Sequence, residues 1–117
     1  MDGYVIAIPK KNRAQYLKMA KEGSATWKKY GALDYKECML EHAKPPMITL
    51  TFPKLAKAKP SEDVWFSYIV FKSKVHRDSV NKKVMAYFAK KYSDPSAPMP
   101  FEMNRMSYGG FKVMVSV

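Results

Sequence analysis

The segment Val64–Phe71 reads Val-Trp-Phe-Ser-Tyr-Ile-Val-Phe, and it constrains the fold more than any other stretch of the chain. Eight residues rich in β-branched and aromatic side chains predict a strand. Alternation along a strand puts Val64, Phe66, Tyr68 and Val70 on one face and Trp65, Ser67, Ile69 and Phe71 on the other. Both faces are apolar, so both must be covered. The first strand, expected over Gly3 to Pro9, behaves likewise, with Tyr4, Ile6 and Ile8 against Val5 and Ala7.

Two helical segments follow two of the strands. Asn12 to Tyr30 carries a stripe of Ala14, Leu17, Ala20, Ser24 and Trp27, with Asn12 and Gln15 as a capping-box variant and Gly31 as the terminating residue. Ser73 is placed to cap a second helix, Lys74 to Tyr92, whose buried stripe runs through Val80, Val84, Tyr87 or Phe88, and Lys91 or Tyr92. Ala32 to Leu40 is the most polar strand, with Leu33, Tyr35 and Glu37 on one face, and is expected at a sheet edge. A long connection, Glu41 to Asp63, has room for a short strand at Met47 to Phe52 and a helical turn near Leu55. Pro95, Pro98 and Pro100 are expected to hold the following loop extended. A last strand, Met106 to Val115, contains Gly109-Gly110, a bulge or a close backbone approach. The order β-α-β, β-α-β predicts an α+β fold of the ferredoxin-like βαββαβ type, a four-stranded antiparallel sheet with both helices on one face, as a single domain over 1–117.

Helices on one side leave the other face of such a sheet bare. Each large side chain left in water forfeits roughly 1.5–3 kcal/mol of burial. Half a dozen forfeit about 9–18 kcal/mol, comparable to the ~5–15 kcal/mol stability of a whole domain. The simplest cover is the same face of a second copy, which predicts a homodimer. The alternative cover is the Glu41–Asp63 loop.

Charge and chemistry narrow the function classes. The formal net charge is +11, which raises affinity for nucleic acid and other anionic partners. The lysines are scattered in pairs such as Lys10 and Lys11, Lys28 and Lys29, and Lys82 and Lys83, so a solvated surface is the favoured reading over a nucleic-acid footprint. No apolar run approaches the ~20 residues that cross a bilayer. The acidic, short N-terminal stretch does not resemble a secretory signal, and a cytoplasmic location is expected. Cys38 and His42 on a strand lie about 13 Å apart, and with two histidines and one cysteine no metal site is expected. His76-Arg77-Asp78 echoes a kinase catalytic triplet but lacks a Gly-rich phosphate loop. Ser67, small among large neighbours, marks a gap above the sheet, and Arg105 and Tyr108 near the last strand can offer polar groups to it.

Several motifs carry a family resemblance. They are Met1-Asp2-Gly3-Tyr4-Val5 with Pro9 and Asn12, then Trp27, Gly31-Ala32-Leu33 and Glu37-Cys38. Further on come Ala56-Lys57-Ala58-Lys59-Pro60, Phe66-Ser67, His76-Arg77-Asp78 with Asn81, and Lys83-Val84-Met85. Met99-Pro100-Phe101, Arg105-Met106 and Tyr108-Gly109-Gly110-Phe111 complete the set. With these the chain resembles the YbaA-like bacterial proteins of unknown function over nearly its whole length. The resemblance implies a dimeric α+β barrel, a fold shared with small monooxygenases that use no cofactor and with related haem- or ligand-binding proteins. It brings no established activity and no cofactor. The resulting expectation is a small-molecule site between sheet and helices, with monooxygenase-like chemistry in view and Ser67, His76, Arg105 and Tyr108 as its polar groups. The alternative is a non-catalytic domain that binds RNA or another anionic partner through its basic surface.

Overall fold

A computed structural model describes residues 1–94 and 99–117. Strand β1 (Asp2–Pro9) leads through a 3-10 turn at Lys10–Asn12 into helix α1 (Arg13–Lys29). Then come β2 (Asp34–Met39), the one-turn helix α2 (Phe52–Leu55), β3 (Glu62–Val70), α3 (Lys74–Lys91), a 3-10 turn at Met103–Arg105 and β4 (Ser107–Gly110). The four strands form one antiparallel sheet in the order β2-β3-β1-β4. This is the βαββαβ arrangement of the α+β class, with β2 at an edge as its polarity predicts. The expected reading of the loop through Pro95 and Pro98 lies outside the described residues.

The helix side of the sheet holds most of the core. Ile6, Ile8 and Trp65 pack with Tyr16, Ala20 and Phe101 at one end. Ile69 and Phe71 pack with Val80 and Val84 at the other, flanked by Trp27, Tyr30 and Phe88. On α3 the expected stripe is buried at Val80 and Val84 and half-buried at Tyr87 and Phe88, but its last position is not, since Lys91 and Tyr92 are both exposed. On α1 it is rotated: Tyr16, Ala20, Gly23 and Thr26 are buried, whereas Ala14 is exposed and Leu17 is 39% exposed. The larger Tyr16 takes the core position because its ring packs on Trp65, at 5.0 Å, and its hydroxyl finds an internal acceptor.

Helix ends are resolved by specific bonds. Asn12 does not cap α1 with its side chain; its amide instead donates to the Pro100 carbonyl at 3.0 Å. At the other end Ala32 N–H bonds the Trp27 carbonyl and Gly31 N–H bonds the Lys28 carbonyl, a Schellman closure. Gly31 sits at φ +115°, where a side chain is strained. Ser73 caps α3 as expected, its Oγ accepting from His76 N–H at 3.1 Å.

Two expectations about strands are corrected. Met47 to Phe52 forms no strand; the chain there bends toward α2, with Met47 at φ 68°. The last strand ends at Gly110 rather than Val115. Its partner β1 begins at Asp2, opposite Gly110. Phe111 and Met1 close the ladder with bonds of 2.6 and 2.8 Å, and among the described residues no strand lies beyond them to pair with. Gly109 and Gly110 keep regular register, so they form no bulge. They mark close approach instead: a Cβ on Gly110 would run into the Arg77 guanidinium.

The face away from the helices carries Val5, Ala7, Val64, Phe66, Tyr68 and Val70. The long connection covers one end of it, with Ala56 packed on Ala7 and Val64. Phe66, in the middle, remains 41% exposed.

Candidate functional site

Strand register sets four polar side chains in a row across the helix-facing side. Glu37 on β2 is paired with Ser67 on β3, Ser67 with Tyr4 on β1, and Tyr4 with Tyr108 on β4. Ser67 is buried, and the Tyr4 and Tyr108 rings lie 5.0 Å apart. Ser67 is therefore flanked by Glu37 on one strand and Tyr4 on the other.

Glu37 is the chemical centre of this row. Its Oε2 accepts from the Tyr16 hydroxyl and its Oε1 from the Tyr35 hydroxyl, both at 2.8 Å. Burial pushes the carboxyl above its usual pKa, against the two phenol bonds, which act to lower it. Desolvation wins because neither phenol brings a positive charge. The same burial, and then the nearby carboxylate, hold Tyr16 and Tyr35 protonated well beyond the ordinary tyrosine range. Two hydroxyls occupy only half of a carboxylate's roughly four acceptor positions. One strand over, the buried Trp65 indole N–H has no hydrogen-bond partner among the described residues. The Glu37 group thus combines a carboxyl raised by burial with two fixed phenols.

A second polar network lies at the start of β1. Asp2 is fully buried and accepts from Asn81 Nδ2 at 3.0 Å, while Asn81 Oδ1 accepts from the Trp27 indole at 2.9 Å. Arg77 Nε stands 3.7 Å from Asp2, at the limit of an ion pair. Burial and then the Asp2 charge raise the pKa of Tyr108. This network ties β1, α1 and α3 together.

The residues singled out from sequence do not all converge. Ser67 and Tyr108 share the cross-strand row, separated by Tyr4. His76 sits in the first turn of α3, where its Nδ1 accepts from Lys72 N–H at 2.9 Å and its ring meets Phe71 edge-on. Arg105 lies elsewhere, bonded to both Glu62 oxygens at 2.6 and 2.9 Å and to the Lys57 carbonyl at 2.9 Å. That pair holds Glu62 down at about 2 and borders a shallow groove of about 240 Å³ lined also by Pro9, Lys11, Asn12 and Phe101. Such a groove is smaller than the ~300–1,000 Å³ of usual ligand pockets. Glu37, Tyr16 and Tyr35 are absent from the sequence-based site. The available signal is the shared face of Tyr35 and Glu37 on a strand whose neighbour carries Ser67.

Comparison with known proteins agrees with the resemblance that the sequence motifs carry. The family model described as "Protein of unknown function (DUF1428)" matches residues 1–103. The chain belongs to the DUF1428 family. Relatives of this DUF1428 chain include the uncharacterized protein YbaA of Escherichia coli K12, 36% identical over 120 residues, covering 98% of this chain and 96% of YbaA. YbaA of Shigella flexneri matches to the same extent. The DUF1428 match takes in Glu37, Ser67, Tyr4, Tyr16 and Tyr35, and stops short of Tyr108. No helix among the described residues is long and apolar enough to cross a membrane.

Proposed function

We propose that this chain is a single domain that works as a homodimer and binds a small, largely apolar molecule between α1 and the sheet, with Glu37 as the polar anchor. The observation that carries the reading is the partly buried Glu37 carboxyl held by Tyr16 and Tyr35. Burying a carboxyl costs free energy that two hydrogen bonds only partly offset, and a sheet that needed only to fold would place apolar side chains there. Ser67 and Tyr108 extend the same polar row and are assigned as ligand contacts. Monooxygenase-like chemistry without a cofactor needs a group that removes a proton from the substrate, and a carboxyl raised by desolvation is suited to that task. Arg105 is already committed to Glu62, and His76 to the cap of α3.

The dimer follows from the open face. Phe66, Tyr68, Val5 and Val70 form an apolar surface that the Ala56 segment covers only at one end. A second copy of the same face satisfies it by two-fold symmetry. A thermal-shift screen of small aromatic and carbonyl compounds tests the ligand reading. A binder raises the melting temperature of the wild-type chain by mass action, and the rise is lost in Glu37→Gln. A screen in which every rise persists in Glu37→Gln contradicts it.

A further inference from the structure

The chain continues past β4 as Phe111-Lys-Val-Met-Val-Ser-Val117, and almost all of it is in water. Val113 is 49% exposed, Met114 80% and Val115 89%. Five of its last six residues are uncharged and three are valine, a composition suited to a strand and poorly suited to a free tail. Phe111 is the last residue held, through its two bonds with Met1. Its ring lies on the open face of the sheet, within 3.1 Å of where a Cβ on Gly3 and 3.3 Å of where one on Gly109 would stand. In an extended chain, Val113, Val115 and Val117 share the face of Phe111. The apolar side of the arm therefore continues the apolar face of the sheet beyond its own edge.

We infer that residues 112–117 cross onto a second copy of this chain, each arm lying over the partner. The inference rests on the face-to-face dimer proposed above. Reach permits it: six extended residues span about 20 Å, and four strands are about 19 Å wide. Area requires it. An open face about 19 Å by 25 Å offers roughly 500 Å² per copy, or about 1,000 Å² in total. Part of that is already covered by Ala56. Stable interfaces bury about 1,200–2,000 Å². Two reciprocal arms supply the missing area with side chains that otherwise stay wet. The arm's one charged side chain, Lys112, lies at its root, and the side chains of residues 113–117 carry no charge.

Sedimentation equilibrium of the full chain, of a variant ending at Phe111, and of full-length Val113→Ser/Val115→Ser tests this. Both variants are expected to weaken the dimer at least ~10-fold. Isotope-filtered NOE spectra on mixed labelled and unlabelled copies are expected to connect the valine methyls of one copy to the other. The full-length double variant decides the matter if truncation impairs folding. A dimer constant unchanged in the double variant, or valine contacts only within one copy, overturns the arm exchange and leaves the face-to-face dimer standing. A wild-type chain that is monomeric at all concentrations overturns both.

Discussion

The Tyr16 hydroxyl donates to Glu37 Oε2 at 2.8 Å from a side chain that is only 2% exposed. The acceptor is thus what allows a phenol to sit in this core. Removing it leaves a buried donor unpaired, which costs about 1–3 kcal/mol. Glu37→Leu is expected to lower stability by about that amount, with a further, smaller loss at Tyr35. Glu37→Gln keeps an acceptor and is expected to stay within about 1 kcal/mol of wild type. Urea unfolding of the two variants checks the difference.

Glu37 and Glu62 give stability opposite dependences on pH. Glu37 is raised above 4.5 by burial, so its contribution is full below about 4.5 and is lost as pH rises through its folded value. Glu62 is lowered to about 2 by Arg105, so its contribution is full above about 4.5 and is lost as pH falls toward 2. Unfolding free energy measured from pH 2 to 8 is expected to rise on the acid limb and to sag above it. Glu37→Gln should abolish the sag and leave the acid limb intact.

Arg105 carries the acid limb. Its guanidinium pairs with a Glu62 side chain that is 5% exposed. Arg105→Ala strands that carboxylate and is expected to cost about 2–4 kcal/mol. The same variant should move the acid limb upward, toward the ordinary glutamate range, in the same pH series.

Phe66 stands at the centre of the open face. Phe66→Glu places a charge where a second copy is proposed to pack, and a buried unpaired charge is not tolerated in an interface. The variant is expected to be monomeric by sedimentation at concentrations where wild type is dimeric. Its circular dichroism should be unchanged, because Phe66 is already 41% exposed in the single chain.

Much of this architecture is legible in the amino-acid sequence, for physical reasons. The two-faced apolar pattern of β3, the Ser73 cap and the left-handed Gly31 are local signals, and each corresponds to a local structure. The failures involve partners distant in sequence. Asn12 looks like a cap, but its amide goes to Pro100, 88 residues away. Valines 113 and 115 look like strand, but a strand exists only where a neighbour exists, and β1 ends at Asp2. Glu37 reads as one residue of a polar edge strand, on the face of Leu33 and Tyr35. Its burial follows from Tyr16 reaching across from α1 and from the register that sets it beside Ser67. Periodicity carries neither relation.

Calorimetric titration of wild type and Glu37→Gln with the compound that most stabilises the wild-type chain addresses the proposed site most directly. A ligand anchored on the Glu37 carboxyl binds wild type at least ~10-fold more tightly than Glu37→Gln, the loss of about 1.4 kcal/mol or more expected when a charged hydrogen-bond partner is removed. Equal affinity in the two proteins would contradict the assignment of Glu37 as the anchor.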